Sequence, residues 1–220
     1  MNGSDFTPAS LESLCENSIP VTFETFESFA RWDNSFRIPK GVASDDVAQL
    51  CGGAGDTGAL LIKRGYKGGP NFDLIVGINL LNRHEREGLL RYLDVRKPKI
   101  VLISTPCTGM KGFSALNRAI NHTAWLKSRR VSVPLGKLAG KVALIQLRAN
   151  RDALAEHPQG SDLFKLPVWK LIAREPRLVR VLLHQCMLGL RGPRSGMPIK
   201  KPTEIWASDP LLVKYLHNYL

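Results

Sequence analysis

Three short segments carry side chains able to do chemistry, and each follows an apolar run. The first is Cys51-Gly52-Gly53-Ala54-Gly55-Asp56-Thr57-Gly58, a glycine cluster behind Val47 to Cys51. Glycines between a strand and a helix let a ligand approach the backbone, and the following helix offers free amides. A tight structural turn accounts for the same glycines equally well. With no lysine in place, the segment is not a phosphate loop of the GxxxxGK[ST] type. The second segment is Ser104 to Gly109, where Pro106-Cys107 follows the β-branched, uncharged run Lys99 to Thr105. A lone cysteine is ordinarily a small buried hydrophobe. At a strand end it becomes a candidate nucleophile. The third is Ala155-Glu156-His157-Pro158, whose carboxyl at a neighbouring strand end would pair an acid with that thiol. For His157 a structural role is preferred over tuning the site.

These segments meet only if the elements before them are strands of one sheet. The pattern predicts strands over Val47 to Cys51, Phe72 to Leu80, Lys99 to Thr105, Arg151 to Glu156, Leu178 to Leu188 and Thr203 to Ser208. Helices are expected over Gly58 to Tyr66, Arg86 to Val95, Ser114 to Arg148 with a break at Pro134-Leu135-Gly136, and Pro167 to Glu175. Such alternation implies an α/β domain with a mostly parallel sheet covered by helices on both faces. Ligands of open α/β sheets bind outside the carboxyl ends of the strands, where all three segments would lie. Residues 1–44 read as an acidic extension and 45–220 as the α/β domain. Aromatic residues at 23, 26, 29 and 32 give the extension one helical stripe, expected to dock on the main domain.

The charge distribution adds a partner. The 220 residues carry a formal net charge of +12, distributed unevenly. Residues 1–46 hold three basic and eight acidic side chains, and residues 47–220 hold 28 and 11. From Val95 to Arg151 there are twelve Lys or Arg and no Asp or Glu. A solvated basic surface is one reading. The sharper one is a polyanion-binding face bearing Lys111, Arg118, Lys127, Arg129 and Arg130. The longest run without a charge is eleven residues, Ile100 to Met110, too short to cross a bilayer. The N-terminus lacks the pattern of a secretory signal. Cys15, Cys51, Cys107 and Cys186 are too scattered for a disulfide framework or a zinc site, so an intracellular protein with reduced thiols and no metal is expected.

In the order glycine loop, Pro-Cys, Glu-x-Pro, the chain resembles the cytosine-5 methyltransferases, which use S-adenosylmethionine. Leu50 to Gly55 looks like their first motif, Pro106-Cys107 like their Pro-Cys motif, and Glu156-His157-Pro158 like their glutamate motif. The later run from Gln185 to Ser208, with its Lys-Pro-Thr at 201–203, resembles a divergent branch that includes methyltransferase-like segments of protist retroelement polyproteins. The resemblance covers roughly residues 47–212 and implies a Rossmann-like methyltransferase fold. It implies a cofactor site at Cys51, Gly52, Gly53, Gly55, Asn79 and Pro106, with Cys107 as nucleophile and Glu156 as the group holding ring nitrogen 3 of cytosine.

Some positions depart from the family. Its members carry an acid at the end of the strand after the glycine loop, for the cofactor's ribose. With that strand drawn to Leu80, Asn79 stands in the acid's place, and Asp56 and Asp73 are the acids that could substitute. One strand lies between the glycine loop and the Pro-Cys strand where two are usual, so the sheet is expected to be one strand short. Nothing is long enough to be a separate target-recognition domain, which implies a protein partner for target choice. Three readings stay open: an active methyltransferase on DNA or RNA, a catalytically inactive fold that binds nucleic acid, and an assembly protein.

Overall fold

The computed structural model describes residues 45–111 and 114–219, within the second of two units into which the chain divides, Met1–Ala43 and Ser44–Leu220. The aromatic stripe at 23–32 lies outside the described residues. Six strands form one sheet in the order β2-β1-β3-β4-β6-β5. They are β1 (Val47–Leu50), β2 (Gly68–Phe72), β3 (Ile100–Ile103), β4 (Asp152–Pro158), β5 (Val179–His184) and β6 (Pro202–Ala207). The first four pair in parallel, while β6 runs antiparallel to both β4 and β5. The sheet is therefore mixed: three of its five pairings are parallel, as a mostly parallel sheet requires, and the two made by β6 are antiparallel. The β5–β6 connection returns alongside β5 and inserts its strand next to β4. Hydrophobic periodicity carries no information about that direction.

The helices are α1 (Asp56–Lys63), α2 (Arg83–Arg96), α3 (Ser114–Ile120), α4 (His122–Arg148) and α5 (Pro167–Ile172). Side chains of β4 alternate, so Leu154 and Glu156 lie on one face and Ala155 and His157 on the other. On the first face Val181, Leu183, Ile205, Ala207 and Val213 form a core cluster with Leu154 against it. On the second, Trp206 stacks on Phe164 with ring centroids 4.3 Å apart, and Trp169 of α5 meets both rings edge-on. At the amino end of β1, buried Asp45 accepts hydrogen bonds from Tyr92 and Arg96 of α2 and fixes that helix to the sheet.

Two sequence expectations fail for identifiable reasons. The strand drawn from Phe72 to Leu80 is instead Gly68–Phe72, followed by a 3-10 turn at Leu74–Val76. Gly-Gly-Pro-Asn-Phe has poor strand propensity, but Gly68 and Asn71 pair with Val47 and Gln49, so neighbouring β1 decides the outcome. Leu74 and Ile75 are 64% and 71% exposed, so the apolar run was no sign of burial. The long helical region is interrupted at Asn121, whose side chain caps α4 by accepting from the Ala124 amide at 3.0 Å. Pro134 lies inside α4 without ending it. Here α4 is clamped by packing: a Cβ on Gly136 would meet Leu163 and Leu166 within 3.0 Å, and the Trp169 indole donates to the Gly136 carbonyl. Among the described residues no helix is long and apolar enough to cross a membrane.

Candidate functional site

β1 has β2 on one side and β3 on the other, so the chain reverses direction across the sheet at β1. A crevice opens at the carboxyl ends of strands that flank such a reversal. The glycine loop leaves β1 there, Pro106-Cys107 follows β3, and Glu156 lies near the end of β4, the next strand over. One strand, β2, lies between the glycine loop and the Pro-Cys strand, as the spacing implied.

The loop backbone turns sharply, with positive φ at Cys51, Gly53 and Gly55. Two side chains from the end of β2 hold it. Asn71 accepts from the Gly52 amide at 3.1 Å and donates to the Gly53 carbonyl at 2.7 Å. Asp73 accepts from the Gly53 amide at 2.9 Å with one oxygen and from Ile75 at 2.8 Å with the other. Because β2 stops at Phe72, the acid that ends this strand is Asp73. Asn79 is corrected to a loop position, where its oxygen accepts from the Leu81 amide. Beside the loop, Cys51, Asp73, Asn79, Pro106 and apolar side chains from α4 line a cavity of about 110 Å3. Gly52, Gly53 and Gly55 do not line it. Burial, and then the Asp73 charge, push the Cys51 thiol up to about 12, so it stays protonated near neutral pH.

Cys107 is half-buried, and its carbonyl accepts from the amides of Met110 and Lys111, which curls the chain into a turn behind the thiol. Glu156, near the end of β4, is anchored from β5–β6. Its Oε1 accepts from Gln185 at 3.2 Å and lies 4.0 Å from the Lys201 ammonium, while Gln185 also reaches Thr203. Among the described residues no hydrogen bond or ion pair joins Cys107 to Glu156. The two lie at the carboxyl ends of adjacent strands, Cys107 after β3 and Glu156 near the end of β4. Gln185 and Lys201 were passed over as site residues, although the Gln-Cys and Lys-Pro-Thr runs that contain them were visible. Only the antiparallel β5–β6 pairing, with His184 opposite Pro202, brings both runs to Glu156.

His157 faces away from Glu156 and is 1% exposed. Neither ring nitrogen makes a hydrogen bond of good geometry. Burial lowers its pKa to about 4 against the opposing effect of the Thr105 and Pro106 backbone. It is thus a neutral ring beneath the Pro-Cys turn, next to the buried and equally unpartnered Thr105 hydroxyl.

Of the five cations assigned to the basic face, Lys111, Arg118 and Arg129 line one further cavity, of about 500 Å3, with Trp125, Asp162 and Lys165. Lys127 and Arg130 do not line it. Neither a protein-family model nor a curated protein matches the chain.

Proposed function

We propose that the chain is a methyltransferase-like protein that acts on cytosine in nucleic acid, with Cys107 as nucleophile and Glu156 as its partner on the base. The supporting observation is positional. The glycine loop, the thiol and the carboxylate occupy the carboxyl ends of the adjacent strands β1, β3 and β4, at the reversal of the sheet. The Rossmann-like reading of the fold rests on the same reversal, flanked by the parallel strands β2-β1-β3-β4.

Carbon 5 of cytosine is a poor nucleophile. Addition of the Cys107 thiolate to carbon 6, with Glu156 holding a proton at ring nitrogen 3, makes carbon 5 enamine-like and able to attack a methyl donor. Loss of the carbon-5 proton then expels the thiolate. A base reaches the Cys107 thiol only out of its stack. Gln185 and Lys201 hold Glu156 Oε1, so the carboxylate is oriented before the base arrives. S-adenosylmethionine would supply the methyl group. The apolar lining beside Asp73 suits its nucleoside half in kind, with the carboxylate available to ribose hydroxyls.

Two observations favour a binding-only protein. The cavity is about 110 Å3, whereas sites for drug-sized ligands run from about 300 Å3 upward. The Gly52 and Gly53 amides are also already engaged by Asn71 and Asp73. Two measurements separate the readings. Calorimetry with S-adenosylmethionine should give a saturable isotherm. An oligonucleotide with 5-fluorocytosine, which cannot lose its carbon-5 substituent as a proton, should then stay covalently attached to the parent and not to Cys107→Ser. Cofactor binding without any adduct on single-stranded DNA, duplex DNA or RNA would leave binding alone as the function.

A further inference from the structure

The second cavity is built from four separate pieces of chain: Met110 and Lys111 behind the Pro-Cys turn, Arg118 of α3, Trp125 and Arg129 of α4, and Gly160 to Lys165 beyond β4. Its lining includes four cations, Lys111, Arg118, Arg129 and Lys165, and one acid, Asp162. The acid is committed. Asp162 accepts from Arg129 at 3.2 Å and from Lys165 at 3.0 Å. Burial alone would raise its carboxyl, but Lys165 and Arg129 outweigh this and hold it below the usual carboxylate range. Arg129 also donates to the Gly109 carbonyl, which ties this wall to the Cys107 turn. Lys111 and Arg118 have no carboxylate partner among the described residues.

Arg118 is nonetheless positioned. Its guanidinium carbon lies 5.3 Å from the centroid of the Trp125 ring, and that of Arg129 lies 5.4 Å from it. A guanidinium resting on an indole keeps its N–H groups free to donate in its own plane, the geometry that grips a phosphate. A cavity of about 500 Å3 has the size of a nucleotide rather than of a duplex groove.

We propose that this cavity is a phosphate subsite of the nucleic-acid ligand, in which Lys111 and Arg118 hold one backbone phosphate, Trp125 is the positioning residue for Arg118, and Asp162 withdraws Arg129 and Lys165 from the contact. The proposal rests on the nucleic-acid reading above and narrows it, since it gathers the contact into one pocket three residues from Cys107 instead of spreading it along α4.

The test is anisotropy of a labelled single-stranded 12-nucleotide DNA with the full chain between 50 and 200 mM KCl. Lys111→Gln and Arg118→Gln, both at exposed positions, should each weaken binding about tenfold at low salt and flatten the slope of log affinity against log salt by about 0.7. Trp125→Ala should act like Arg118→Gln, and Trp125→Phe should restore most of the affinity. Asp162→Asn should strengthen binding. Lys170→Gln, an exposed charge on α5 outside the cavity, should change it less than twofold. If the parent binds and the Lys111 and Arg118 variants keep its slope, the subsite is wrong while nucleic-acid binding stands. If the parent does not bind the DNA at all, the nucleic-acid reading falls first. If a phosphoserine peptide competes as well as the oligonucleotide, the pocket is a phosphate site of another kind and the assignment to nucleic acid is overturned.

Discussion

The Asp73 carboxylate accepts a hydrogen bond from the Gly53 amide at 2.9 Å, joining the end of β2 to the glycine loop after β1. The acid thus sits beside the loop, and its second oxygen caps the following 3-10 turn through Ile75. Each Asp73 oxygen accepts one amide and has lone-pair capacity for a hydroxyl besides, so the loop contact need not be given up.

Asp73→Asn should therefore do more harm than Asn79→Ala. The first turns a charge-assisted acceptor into an amide that opposes the Gly53 N–H, and should destabilise the domain by about 2 kcal/mol. The second loses one exposed turn hydrogen bond and should cost under about 1 kcal/mol. Urea denaturation of both variants checks the order. Equal midpoints would show that the Asp73 link to Gly53 does not hold the loop.

His157 makes stability depend on pH. Its folded pKa, about 4, lies below its ordinary 6.5 because burial opposes the charged ring. Between those values the unfolded chain binds a proton that the folded chain does not. Its contribution is thus complete above pH 6.5, is lost as pH falls towards 4, and is constant below. The whole window corresponds to on the order of 3 kcal/mol. Urea titrations at pH 7 and pH 5 should show this loss in the parent and a flatter dependence in His157→Leu. Parallel profiles would assign the pH dependence to other groups.

Helix α4 crosses α5 at two glycines, four residues apart. A Cβ on Gly140 would lie 2.3 Å from a Val168 methyl and 3.0 Å from the Trp169 indole nitrogen. Gly140→Ala should lower stability by about 1 to 3 kcal/mol through overpacking, and Val168→Ala in the same chain should recover part of it. Thermal melts of the two single variants and the double variant give the coupling directly. Additive losses would place the strain elsewhere.

The site was legible in sequence where chemistry and burial coincide. Pro106-Cys107 follows β3, whose Val101 and Ile103 are buried, so an uncharged apolar run marked both the strand and its mouth. Glu156 followed from a weaker signal, the short Ala153-Leu154-Ala155 run of β4 between charged residues. Asp73 was misjudged because Leu74-Ile75-Val76 has strand-like composition yet forms an exposed turn, which moved the apparent strand end from Phe72 to Leu80 and put Asn79 in the acid's place. Gln185, Lys201 and Trp125 owe their places to strand direction and helix crossing, which depend on distant segments and leave no local periodicity.

The outer strand β2 pairs, among the described residues, only with β1, so its other side carries a ladder of backbone groups without a strand partner among them. Such a rim ordinarily recruits strands from other molecules and seeds aggregates. Here it is made of Gly68-Gly69-Pro70-Asn71-Phe72, in which Pro70 has no amide hydrogen to offer and the two glycines give an incoming strand no side chains to pack on. The composition that hid this strand from a propensity reading also makes it a poor template for a further strand.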